Sequence, residues 1–174
     1  PSPRRKPPMH DAAAVASKRL VLLVTMVGVA ASAFPTTLLS ASLPDIAADL
    51  NASTSVISWV QAAPSIVFAV GMPLFGKLGD MYGHRRTFVV GFAAMTIGSL
   101  ATSMSWNVGA LIGFRTIAQL AGAATSTAAF GLIAGVFERQ ERTRAISLYT
   151  SVLAMSPVVA VVVGGPIIEH IGWR

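Results

Sequence analysis

This chain of 174 residues carries so few charges, 11% of its residues, that the side chains able to do chemistry are quickly found. They form three groups. The first lies between Gly76 and Phe88, where Lys77, Asp80, His84, Arg85 and Arg86 are interleaved with Gly76, Gly79 and Gly83. An aspartate just ahead of two arginines can pair with either of them or cap a nearby helix N-terminus. Gly76 and Gly83 supply the backbone freedom of a tight turn. The second group runs from Glu138 to Arg144 and carries Arg139, Arg142 and Arg144. The third is Arg115, a lone cation inside an apolar run. Such an arginine costs about 2.5–3.5 kcal/mol at the centre of a membrane helix, so it should face a polar partner or a wet cavity.

Other chemistries find no support. His10, His84 and His170 fall in separate regions, so no metal site is expected. No nucleophile stands with a base, and neither an enzyme nor a cofactor is expected. Gly71 to Lys77 has the spacing of a phosphate-binding loop. However, Leu78 stands where a hydroxyl would bind magnesium, and the segment follows a helical run instead of a strand.

The elements that position these groups are apolar. Hydrophobic residues make up 53% of the chain, whereas a soluble domain carries about 25% charged residues. There is no cysteine, which rules out disulfides and thiolate metal ligands within the chain. Five apolar runs, 20–43, 56–75, 88–104, 108–136 and 145–168, reach or approach the ~20 residues that cross ~30 Å of hydrocarbon. In lipid their backbones must satisfy themselves, so the expected fold is an all-α polytopic membrane protein. Counted from Val108, Arg115 should lie ~10 Å below the outer surface.

Lysine and arginine orient the bundle. They precede the first run (Arg4, Arg5, Lys6, Lys18, Arg19) and fill the second-to-third and fourth-to-fifth connections. The connections 44–55 and 105–107 contain none. The positive-inside rule then makes the N-terminus cytoplasmic and the location the cell membrane. The basic tail reads as topology and lipid attraction, and nucleic acid is not an expected partner because the charge forms no continuous stripe. Residues 1–18 are expected to be a flexible basic tail ahead of an uncleaved first span, and 19–174 a transmembrane bundle.

Gly76, Leu78, Gly79, Asp80, Gly83, His84, Arg85, Arg86 and Phe88 resemble the loop between the second and third spans of major facilitator superfamily transporters. Met81 stands where a basic residue is usual. The resemblance implies that Asp80, Arg85 and Arg86 latch two halves of a transporter in its outward-open state, with Gly76 and Gly83 shaping the turn. Arg142 and Arg144 lie in a stretch similar to the family's loop between the fourth and fifth spans, and the resemblance implies that they approach this latch and can pair with Asp80. Leu111 to Arg115 resembles a fourth-span motif whose arginine is linked to proton coupling, although Ala118 and Gln119 stand where Gln-Gly is usual. Ser156 to Pro166 resembles the antiporter signature: Pro157, Gly164 and Gly165 match and would let the helix bend, while Ala160 and Val161 replace a central Gly-Pro. The first span resembles that of the fourteen-span drug:proton antiporters, with Pro35 in the place of a membrane aspartate and Ser40 in that of an asparagine.

The expected architecture is therefore the first five spans of a six-helix half of a major facilitator fold, with a C-terminal half of the same chain as its partner. The expected function is export of lipophilic or amphiphilic small molecules by alternating access, with Thr36, Thr37, Gln61, Arg115 and Gln119 as cavity candidates. Proton coupling is implied by the family. No aspartate or glutamate lies inside any of the five runs, so the titrating group would have to come from elsewhere. The alternatives are a carrier of another solute without proton coupling and a non-transporting membrane scaffold or sensor.

Overall fold

The computed structural model describes residues 9–49 and 53–171, and they are helical almost throughout. Six helices follow in order: α1 (Met9–Ala41), α2 (Leu43–Asp49), α3 (Thr54–Tyr82), α4 (His84–Ser103), α5 (Val108–Val136) and α6 (Arg139–Ile171). No strand occurs among the described residues. The segments that should carry long apolar helices do so, and α5 has the bounds read from its sequence. Asn107 starts it, its side chain accepting from the Ala110 N–H at 2.7 Å.

Four helices are long and apolar enough to cross a membrane: Lys18–Ala41, Ser55–Tyr82, Val108–Val136 and Arg139–Gly164. Helix α4 has 20 residues, and that length spans ~30 Å. It is less apolar than the others because it opens on His84, Arg85 and Arg86 and carries several hydroxyls. Hydroxyls in these helices are satisfied within the helix: Thr25, Ser32, Thr37 and Thr125 each donate to the carbonyl four residues earlier.

Helix α5 is the centre, because its surface is small. Ala121, Gly122, Ala123, Ala124, Thr125, Ala128 and Ala129 are all buried. Lipid supplies no hydrophobic drive between apolar helices, so close backbone approach must hold them together. Helix α4 approaches through Gly91 and Gly98. A Cβ at Gly98 would come within 2.9 Å of the Ala118 side chain, and one at Gly91 within 2.9 Å of Thr125 Oγ1. These two contacts make α4 antiparallel to α5. On its other side α3 runs parallel to α5, with Gly71 against Leu120 and Ala123. Helices α1 and α6 pair with each other, and Gly164 of α6 faces Leu38 of α1.

Two apolar clusters close the ends. Near the basic end, Val29, Phe88, Ala128, Ala129, Ile133, Ala145 and Tyr149 pack together. Phe88 lies directly over Gly28, and Phe130 meets Tyr149 edge-on at 4.7 Å. At the other end, the short helix α2 inserts Ile46 between Ile57, Val60 and Leu111. Large apolar side chains such as Leu23, Val27, Val90, Ile97 and Val162 remain exposed, as expected for surfaces that meet lipid instead of water.

Several expectations change. The stretch from Gly76 to Phe88 is not a loop: α3 continues through Tyr82, Gly83 alone is non-helical, and α4 begins at His84. Gly83 has φ +93, a backbone conformation that suits glycine, whereas Gly76 is ordinary helix and shapes no turn. The connection before the fifth span likewise shrinks to Phe137 and Glu138, because α6 starts at Arg139. Of the expected flexible tail, Met9–Ser17 is part of α1, while residues 1–8 lie outside the described residues. Helix α5 also carries Gly109, Gly113, Gly131 and Gly135. Gly131 alone of these meets a neighbouring helix, and the tight contacts are at Gly91 and Gly98. Helices α1 and α6 run unbroken through Pro35, Pro157 and Gly164.

Gly83→Ala should lower stability by about 1–3 kcal/mol, because alanine tolerates that positive φ poorly. Gly76→Ala meets nothing within 4 Å and should hold or raise stability. Thermal unfolding of both variants in detergent checks the pair.

Candidate functional site

The expected cavity residues come together in part. Gln61 on α3 and Arg115 on α5 face each other because the two helices are parallel and in register there. The Arg115 guanidinium donates from one Nη to Gln61 Oε1 at 2.7 Å. Ser40 of α1 donates to the same oxygen at 3.2 Å, and also to the Thr36 carbonyl at 2.8 Å. One neutral amide oxygen thus joins three helices and holds the only buried charge among the described residues. Arg115 is 6% exposed, and its Nε is buried without a hydrogen-bond partner among the described residues.

The other candidates stand nearby with weaker ties. Gln119 lies one helical turn beyond Arg115 and is half-buried. The hydroxyls of Thr36 and Thr37 turn back to the carbonyls of Ser32 and Ala33. Ser40 is the residue that sequence reasoning undervalued, having been noted only as a replacement for asparagine. Nothing in its sequence neighbourhood indicates that it would share an acceptor with Arg115.

The basic end is built differently from the ion-pair pattern expected of it. Asp80 does not pair with Arg85, Arg86, Arg142 or Arg144: among the described residues its ion-pair partner is His84, with Oδ1 3.2 Å from Nε2. The cause is the single-residue junction. With α3 helical to Tyr82, His84 folds back beneath Asp80, while Arg85 and Arg86 are exposed at the start of α4. The imidazole sits between Gly79 and Gly131, where added Cβ atoms would strike its ring, and its Nδ1 is buried without a partner among the described residues. A cleft of about 580 Å³ opens beside it, lined by Gly76, Asp80, His84, Thr127, Phe130 and Gly131, among others.

Arg142 does something else again. It donates to the Ala134 carbonyl, in the last turn of α5, which has no basic residue of its own. A cation there satisfies an orphan carbonyl and favours the negative end of the helix dipole. Arg144 is exposed. Close by, Lys18 and Glu141 form an ion pair at 2.7 Å that ties α1 to α6. Their pairing was not expected from the sequence, since a contact between residues 18 and 141 has no local signature.

A bundle of long apolar helices with a buried arginine at one level and a glycine-hinged charged junction at its basic end is the frame of a membrane transporter. The profile of the Major Facilitator Superfamily matches residues 25–174, and the chain belongs to that family. It is therefore a multi-pass membrane protein of a transporter family, not of an enzyme family. It is 34% identical over 88% of its length to the tetracenomycin C resistance and export protein of Streptomyces glaucescens, covering 28% of that protein. It is 35% identical over 90% of its length to a riboflavin transporter of Clostridioides difficile, covering 34%. With multidrug resistance protein 3 of Bacillus subtilis the identity is 32% over 91% of the chain and 31% of the relative. The chain spans about a third of the length of these relatives.

Gln61→Leu should remove an acceptor from a buried cation and cost about 1.5–3 kcal/mol. Gln61→Glu should keep the bond and most of the stability. Unfolding of the two variants, each compared with the unaltered protein, measures the difference.

Proposed function

We propose that this chain forms the N-terminal part of an exporter of lipophilic or amphiphilic small molecules. It works by alternating access, in a cell membrane, with its N-terminus in the cytoplasm. The observation that carries the reading is Arg115, held deep in the bundle by Gln61 and Ser40. A buried charge is a poor source of stability compared with an apolar residue, so its presence among membrane helices marks a functional interior. The relatives named for drug resistance and export support the direction and the substrate class. In this reading Thr36, Thr37, Gln61, Arg115 and Gln119 line the path between this bundle and the remainder of the transporter. The opposite face of the path comes from a second half of the protein.

The junction of α3 and α4 serves as the latch. Asp80 is held by His84, and Arg85, Arg86 and Arg144 are exposed without an ion-pair partner among the described residues, available to engage another part of the protein. Pro157, Gly164 and Gly165 serve as the bending region of α6. Proton coupling, if it drives the cycle, uses an acid outside the described spans, because none of them carries a carboxylate in its interior. That observation, with a riboflavin transporter among the relatives, favours one second reading: a carrier of another solute without proton coupling.

Inverted vesicles carrying the full-length protein should accumulate a lipophilic dye or drug when a proton gradient is imposed. Asp80→Asn should slow this by about tenfold or more, the equivalent of one charge-assisted hydrogen bond, with expression unchanged. Equal accumulation with and without the gradient would select the uncoupled carrier. No accumulation of any tested compound would remove the export reading.

A further inference from the structure

Helices α3 and α4 touch little beyond their shared junction, and both lean on α5. Between them runs a groove of about 420 Å³ walled by Phe75, Leu78, Val90, Ala94, Ile117 and Leu120. Its walls are apolar except near the basic end, where Arg86 and Tyr82 stand at the mouth. Arg86 carries the only charge in the lining. It is exposed and has no ion-pair partner among the described residues. Its neighbours at that end, Lys77 and Arg85, are exposed as well. The buried polar cluster lies elsewhere: Arg115 and Gln61 are not in this groove, nor is His84, and Arg86 is the one residue that the groove shares with the proposed latch.

We propose that this groove holds one acyl chain of an anionic glycerophospholipid, with the lipid phosphate at Arg86. The inference rests on the orientation in the proposed function, which places the mouth at the cytoplasmic surface. Length supports it: from Arg86 to Ala94 the groove follows α4 for ~12 Å, close to the ~15 Å depth of one leaflet's hydrocarbon. Shape supports it, because α3 and α4 diverge from Gly83 while α5 forms a floor of Ala121 and Ala124, small residues that leave room for a chain. Charge supports it, because an unpaired arginine beside an apolar slot fits a molecule with an anionic head and a hydrocarbon tail. A water-soluble anion would use the arginine and leave the slot empty. A zwitterionic lipid would fill the slot and bring a phosphate whose charge its own cationic head group offsets, so it would hold the arginine less well.

The test is native mass spectrometry of the full-length protein after equilibration in mixed micelles holding equal phosphatidylglycerol and phosphatidylcholine. One tightly retained lipid is expected, with about a fivefold preference for phosphatidylglycerol, the size expected of one cation near an anionic surface. Arg86→Gln should abolish the preference while one lipid is still retained. Ala94→Trp, which fills the slot, should lose the retained lipid. If Ala94→Trp does not give folded protein, Ile117→Trp closes the same slot from α5. Equal retention of the two lipids by the unaltered protein would overturn the proposal, as would a retained lipid that ignores a filled slot. Loss of drug accumulation in vesicles without any change in lipid retention would bear on the export reading alone. Inverted sidedness, with Arg86 labelled from outside intact cells by an impermeant arginine reagent, would overturn the orientation that both share.

Discussion

The bundle depends on how little side chain α5 presents to its neighbours. In water, apolar helices are driven together; in lipid they gain nothing from hiding one apolar surface against another, and contact must come from close fit. The small surface of α5 lets α4 reach it nearly backbone to backbone, Gly98 at Ala118 and Gly91 at Ala121 and Thr125. It also lets α3 lie along the opposite flank at Gly71. Everything else in the fold is arranged around that packing. The bulky residues sit at the two ends, where Phe88, Phe130 and Tyr149 close one and Ile46, Ile57 and Leu111 close the other.

Polar groups in such a frame must be bound locally or bound across helices, and the chain uses the two solutions for different ends. Most hydroxyls return to their own helix, which costs the bundle no design. Arg115 cannot do that, and it is served by Gln61, which Ser40 also contacts. Because the acceptor is a neutral amide, the guanidinium keeps its full charge there instead of being cancelled by a carboxylate. Arg142 is treated in the same spirit at the end of α5, resting on the Ala134 carbonyl and leaving the surface acids free for Lys18 and His84.

Apolarity made the long helices legible. The reason is physical: membrane thickness sets the length of an apolar run, and the start of α5 is marked by a capping asparagine. The same signal misplaced the connections, because charged residues at the membrane surface look like loops yet cost a helix nothing. Lys77, Asp80 and Arg139 all fall inside helices for that reason. Arg115 and Gln61 were each visible as a polar residue in an apolar run. That they would meet depended on the parallel alignment of α3 and α5, which no local pattern records. Asp80 was assigned arginine partners on the expectation of a loop turning tightly at Gly76 and Gly83. Once Tyr82 is helical and Gly83 is the only break, the geometry brings His84 to the carboxylate and carries the arginines away.

Gly83 has a further consequence. Two long helices joined by one residue share almost no slack, since consecutive Cα atoms are only ~3.8 Å apart. A tilt of α3 at its basic end is therefore passed to α4 within a single bond's reach, and through Gly91 and Gly98 to α5. Gly83 thus joins α3 and α4 with no loop between them while both rest on α5, so no connecting segment stands ready to absorb a displacement of the junction.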